Sequence, residues 1–309
     1  SFFIIMADNS SRTVDIKSAV GFALFTAALS AAGTFILLKR TLNKKTAANT
    51  NKDSKANCRW SREETQLRED LAAAYRIADL YSWGGDIIYN HISVRIPGTA
   101  TFLINPFGYM YDEITASSLV KVDLDGNILD KGTGTGLINR AGFVLHSAIH
   151  EGRSDAHCVM HFHQPSGMAV SSLKSGLLPM TQDACLLGEI GYHPFEGIAV
   201  SLDERTRIIK DLGPKNKVLL LQSHGLVTIG ETVMEATVWM YWLAKACEAQ
   251  VQAMAAAGGD ISRLHMNAPE MRAKCNEQFR TAFTDVGIGV LEFEALKRKI
   301  DSLDPSYKD

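Results

Sequence analysis

The chain has 309 residues, 32 of them basic and 34 acidic, giving a formal net charge of −2. That length is more than one typical domain needs, but it suits a single α/β domain of roughly 200–250 residues carrying an appendage. The balanced charge offers no global field to recruit a nucleic acid, so no nucleic-acid partner is expected.

Residues 1–18 form a short N-terminal segment that opens on Ser1 and has Met6 ahead of a polar stretch. Ala19 to Leu38 is then a run of twenty positions without a charge. At 1.5 Å per residue it matches a hydrocarbon core of about 30 Å and is expected to be a transmembrane helix. The alternatives are a secretory signal or a buried core helix. The run is long for a signal core, and no small-residue cleavage site precedes the basic cluster. Asp8 and Asp15 argue against a mitochondrial presequence. Lys39, Arg40, Lys44 and Lys45 follow the run, while only Arg12 and Lys17 precede it. The positive-inside bias therefore puts the large domain in the cytoplasm of a single-pass protein. Residues 39–58, rich in Thr, Asn, Lys and Ala without apolar period, read as a flexible linker.

The folded domain is expected over 59–309. Ser61-x-x-Glu64 reads as a capping box ahead of Leu67, Leu71, Ala74, Ile77 and Tyr81, which recur at helical spacing. Short β-rich runs follow at 92–96, 101–105 and 119–123, with Asp125-Gly126-Asn127 as a tight turn. A helix is expected around 143–151, core strands at 156–163, 217–222 and 226–229, and a long helix capped by Thr232-x-x-Glu235 that stops at Gly258-Gly259. One or two helices complete the chain from about 268 to 299. Cys58, Cys158, Cys185, Cys247 and Cys275 are odd in number and contain no Cys-x-x-Cys pair, so they read as free thiols of a reducing compartment.

The chemistry gathers in three histidines. Side chains alternate faces along a strand, so His161 and His163 project to one side and can clamp one ion. His224 ends a core strand just before Gly225, where a sharp turn would present its imidazole. A His-x-His pair on a half-buried strand is equally compatible with ordinary hydrogen-bonded side chains.

Several long segments together carry a family resemblance: the run Asn90–Arg95, the NPFG segment Asn105–Gly108, Ile114–Ile128, Ala141–His150, the His161–His163 pair, and Ser223–Thr232. The chain resembles the class II aldolase/adducin family, and within it the adducin head and bacterial adducin-like proteins more than the sugar-phosphate aldolases. The resemblance implies a three-layer α/β/α fold with a central, mostly antiparallel sheet, assembled as a homo-tetramer with sites near subunit interfaces. It makes His161, His163 and His224 the ligands of a divalent metal ion, zinc being favoured by imidazole donors. It also implies substrate contacts from Asn90, Asn105 and Gly108.

The departures from that pattern bear on activity. Family aldolases place a metal-binding, basic glutamate after two serines that hold phosphate, and here those positions are Arg140, Ala141 and Gly142. The phosphate-gripping Thr-x-x-Gly is Asn105-x-x-Gly108, and the proton-donating tyrosine falls near Gln182. Sugar-phosphate cleavage is therefore not expected. Glu151, Asp183, Glu189 and His193 are the nearby candidates for a replacement acid or base. Two functions are compatible: a metal-dependent carbon–carbon lyase, either a decarboxylase or a retro-aldol enzyme, acting on an unphosphorylated carbonyl acid; or a non-catalytic, adducin-like scaffold with a cytoskeletal partner at the actin/spectrin membrane skeleton.

Overall fold

The computed structural model describes residues 59–197 and 204–309. The expected N-terminal segment, transmembrane helix and linker, residues 1–58, lie outside the described residues. Among the described residues no helix is long and apolar enough to cross a membrane.

Helix α1 (Arg62–Leu80) starts where the Ser61 hydroxyl accepts the Glu64 amide at 3.1 Å, pairing one of the otherwise unsatisfied first-turn donors. The reciprocal arm of the expected capping box does not form. Glu64 instead receives hydrogen bonds from fully buried Arg68, at 3.1 and 3.0 Å, and from Lys121 at 2.9 Å. A buried guanidinium without a carboxylate is far more costly than one open cap position.

Among the described residues the sheet has eight strands: β1 (His91–Arg95), β2 (Thr101–Ile104), β3 (Val120–Asp123), β4 (Ile128–Asp130), β5 (Cys158–Phe162), β6 (Ile190–His193), β7 (Val218–Leu221) and β8 (Gly225–Gly230). Their order is β4-β3-β2-β1-β5-β8-β7-β6. Strands β1 to β4 form an antiparallel meander, with short turns at β1–β2 and β3–β4 and a longer connection through a 3-10 turn at Tyr111–Glu113 between β2 and β3. Asp123 Oδ1 accepts the amides of Asp125 and Asn127 to close the expected turn. The β6–β7 pair is parallel, because helix α5 (Glu204–Leu212) carries the chain across between them. The sheet is thus mixed, antiparallel except at that edge.

Register assigns the faces. His91 pairs with His161, and His161 with Val227, so these side chains share a face. With Val159, Ile229, Leu219 and Leu221 they lie under α5 and helix α2 (Arg140–Gly152). The opposite face, with Ile92, Val94, Met160, Phe162 and Leu226, packs against α1 and the long helix α6 (Val233–Ala256). Trp239 of α6 is fully buried and donates its indole N–H to Glu235 at 3.1 Å, as a buried indole requires. The Thr232 hydroxyl caps α6 through the Glu235 amide at 3.0 Å, as its spacing predicts. Helices α3 (Pro165–Ser171), α4 (Gln182–Leu186), α7 (Glu270–Ala282) and α8 (Val290–Leu303) complete the α-helices among the described residues. The described cysteines, Cys158, Cys185, Cys247 and Cys275, are free thiols.

Candidate metal centre

Strand β5 ends at Phe162, and the chain leaves it with His163, whose amide donates to Asn90 Oδ1 at 2.7 Å. His161 lies within the strand, 3% exposed. His224 sits in the tight β7–β8 hairpin, where the positive φ falls on Ser223, at 55°, and not on Gly225. Gly225 is required for another reason: a Cβ there would stand 2.5 Å from the Phe162 carbonyl oxygen. The register between β5 and β8 needs that close approach, and it delivers His224 to the end of β5.

The three imidazoles converge. His163 Nε2 lies 2.9 Å from the Nε2 atoms of both His161 and His224. Tautomers follow from the outer partners, since a carbonyl or carboxylate oxygen only accepts. His161 Nδ1–H donates to the Leu226 carbonyl at 3.1 Å, and His163 Nδ1–H to Asp86 Oδ2 at 2.5 Å. Their Nε2 atoms, when neutral, therefore present lone pairs to each other. Burial and neighbouring His163 hold the His161 imidazole well below its ordinary value, and burial pushes His224 down to about 4. His161 and His224 therefore resist taking up a proton themselves. Tetrahedral nitrogen ligands about 2.0–2.1 Å from zinc stand roughly 3.3 Å apart, so a small relaxation of these contacts accommodates a divalent ion. The donor set fits such an ion, and Asp86 completes the carboxylate–histidine arrangement that orients metal-binding imidazoles.

The triad opens on a cavity of about 400 Å³ whose walls include His91, Gly142, His193, Phe195 and Glu204. His91 is 3% exposed, and neither ring nitrogen has a partner. Its ring lies 6.5 Å from that of His161, nearly parallel. Burial pushes the His91 imidazole down to about 3, so it is neutral at physiological pH. Behind it, His150 Nδ1–H donates to the Ala156 carbonyl at 2.8 Å, leaving His150 Nε2 to accept the Ser93 hydroxyl at 2.7 Å. Ser93 Oγ in turn accepts from His146 Nδ1 at 2.6 Å. This network fixes the wall against which the His91 ring stands edge-on, 5.8 Å from His146.

Comparison with known proteins decides the family. Residues 69–251 match the family model described as Class II Aldolase and Adducin N-terminal domain. The chain belongs to the class II aldolase and adducin family. Alpha-adducin of Rattus norvegicus is 47% identical over 251 residues, covering 79% of this chain but only 34% of the adducin, so the chain spans about a third of that relative. A putative aldolase class 2 protein of Caulobacter vibrioides is 46% identical over 252 residues, covering 81% of this chain and 94% of the other. Among solved structures, an aldolase II superfamily protein from Pseudomonas syringae superposes with TM-score 0.75 at 42% identity, covering 83% of this chain and all of that one. An L-fuculose 1-phosphate aldolase from Glaciozyma antarctica superposes with TM-score 0.68 at 29% identity, over 80% of this chain and 93% of its own.

The family's three histidine positions thus come together here, while the other expected site residues are more scattered. Ala141 and Gly142 line the cavity, whereas Arg140 lines a separate one with Arg205. Asn90 is buried and supports His163, Asn105 Oδ1 accepts the Tyr75 hydroxyl at 2.9 Å, and Gly108 faces Thr135 with φ +103°. None of these three is in the cavity wall. Of the four candidate acids and bases, only His193 reaches the cavity. Glu151 pairs with Arg205 at 3.3 Å, Asp183 with Lys245 at 3.4 Å, and Glu189 is exposed. Sequence reasoning missed His91, Asp86 and Glu204. For His91 a signal existed: in His91-x-Ser93-x-Arg95 the polar residues occupy one face of a strand, and that face turns inward here.

Proposed function

We propose that the chain is a divalent-metal-dependent lyase-type protein acting on a small unphosphorylated carbonyl compound, such as a carbonyl acid, by decarboxylation or retro-aldol cleavage. The observation that carries this reading is the convergence of three Nε2 atoms, two of them with Nδ1 protons committed elsewhere, on the floor of a cavity. His161, His163 and His224 would hold the ion, zinc being favoured by imidazole donors, and Asp86 would orient His163. Once bound, the ion would polarise a substrate carbonyl. Neutral His91, with one N–H and one lone pair unused, would hydrogen-bond the substrate from the adjoining wall. Phe195, Leu145, Ile208 and Leu221 supply apolar surface that excludes water.

The cavity's charge supports an unphosphorylated substrate. Among the described residues its wall contains Asp86, Glu196 and Glu204 but no Lys or Arg. A phosphate would have no guanidinium or ammonium to meet it. The test is elemental analysis of freshly purified protein, expected to show close to one divalent ion per chain and its loss in His161→Ala or His224→Ala. It would be followed by assays of decarboxylation and retro-aldol cleavage on a panel of small carbonyl acids. Metal-free wild-type protein, or equal metal in the variants, ends this reading.

The 47% identity to alpha-adducin favours a second reading, a non-catalytic scaffold at the actin/spectrin membrane skeleton, anchored through residues 19–38. Co-sedimentation with spectrin and actin filaments, and resistance of the full chain to carbonate extraction from membranes, are its expected results. Failure of both removes it.

A further inference from the structure

The cavity has a second polar wall. His193, at the end of β6, is 3% exposed and contacts two carboxylates of α5: Asp211 Oδ2 is 2.8 Å from its Nδ1, and Glu204 Oε1 is 3.3 Å from its Nε2. Asp211 accepts the Nδ1 proton. The remaining contact joins an imidazole lone pair to a carboxylate oxygen, two acceptors, and becomes a hydrogen bond only when one further proton lies between them. Glu204 is itself 8% exposed, and both it and His193 line the cavity. The parallel β6–β7 crossover creates this pairing, since α5 returns its first and last turns to the end of β6. Glu196 is drawn away by Arg207, with contacts of 2.8 and 2.5 Å. Glu196 and His224 are the other titratable groups whose charges bear on His193.

We propose that His193 and Glu204, oriented by Asp211, form the proton-transfer pair of this site, replacing the carboxylate that position 142 does not supply. The proposal rests on the lyase reading above. When a carbon–carbon bond breaks, its electron pair passes into the enolate of the carbonyl fragment. In decarboxylation CO2 leaves, the pair delivers its shared proton to the enolate carbon, and water reloads it. In retro-aldol cleavage the proton lost by the hydroxyl that becomes a carbonyl is taken up by the pair and returned to the enolate carbon. In reverse, the pair removes a proton from the carbon beside a carbonyl, and the C–H electrons form the enolate.

Two measurements on the full chain test this. Imidazole ¹⁵N NMR should show His193 protonated at Nδ1, with the Nε2 resonance moved by Glu204→Gln. A bare Nδ1, or no response to that substitution, overturns the pair. In D2O the metal-loaded protein should exchange the hydroxymethylene protons of dihydroxyacetone, and Glu204→Gln and His193→Asn should slow this at least about 100-fold at unchanged metal content. Wild-type exchange that persists in both variants overturns the proposal. Absence of exchange in metal-loaded wild type, with the NMR result as expected, counts against the lyase reading while leaving the shared proton in place.

Discussion

The His91 imidazole occupies the space into which a side chain at position 142 would project: a Cβ built on Gly142 would lie 2.5 Å from His91 Cε1 and Nδ1. Glycine on α2 therefore leaves the room that the His91 imidazole on β1 fills, and a side chain at 142 would compete with it. Gly142→Ala should gain up to about 1 kcal/mol of helix propensity but meet overpacking of about 1–3 kcal/mol, for a net loss of stability. Combined with His91→Ala the loss should largely disappear, a coupling of about 0.5–3 kcal/mol for residues in contact. Urea unfolding of both single variants and the double variant measures it, and additive effects would refute the pairing.

Asp86 acts through His163. Asp86→Asn leaves the ring in place but replaces a charge-assisted hydrogen bond by a neutral one, and loss of such outer partners typically costs 10–100-fold in metal affinity. Competition with a chelator should show that weakening, while the melting temperature of the metal-free protein stays near wild type because the carboxylate is half exposed, at 46%. Unchanged affinity would mean that Asp86 does not orient the site.

How much of this was legible in the sequence depends on how local each signal was. The caps at Ser61 and Thr232, the apolar period of α1 and the runs that became β5, β7 and β8 are readable because side chain and backbone partners lie within a few residues of each other. Strand β6 was hidden, since Ile190–His193 is interrupted by Gly191, a residue required because the Asp211 carbonyl would lie 2.4 Å from its Cβ. Helix α5 shows mainly polar residues around buried Ile208 and Leu212. Because that strand and helix bring Glu204 and Asp211 to His193, the reading that named His193 as a candidate acid or base missed both of its carboxylate partners. His161 and His163 share a strand exit, whereas the link between positions 193 and 204 exists only through a parallel crossover.

The buried histidines predict how the fold responds to acid. Burial lowers His91 and His150 to about 3 and holds His146 well below its ordinary value. As pH falls below about 6.5 the unfolded chain takes up protons that the folded chain refuses, so stability is complete above that pH and is lost as pH drops toward about 3. Each such imidazole contributes a slope of up to about 1.4 kcal/mol per pH unit. Urea unfolding of chelator-treated protein at pH 7.5 and 5.5 should show the decline. Equal stability at the two values would mean that these side chains are protonated in the folded state.

Phosphorylated ketoses should be poor substrates, on grounds of charge as well as of residue identity. Arg140, which stands where the first phosphate-holding serine is expected, faces a cavity it shares with Arg205 and not the one above the triad. A phosphate entering the triad cavity would meet Asp86 and Glu204 with no arginine or lysine among the described wall residues, so the binding energy that positions a sugar phosphate for reaction is missing. Metal-loaded protein assayed with fuculose, rhamnulose and ribulose phosphates is therefore expected to give turnover far below its rate on any unphosphorylated substrate. A Gly142→Glu variant should not recover activity while His91 is present, because the new side chain and the imidazole compete for one space. His91→Gly in the same chain frees that space, and recovery of phosphoketose cleavage there would assign the defect to position 142. Rapid turnover by the wild type would show that the phosphate is gripped by groups outside this wall.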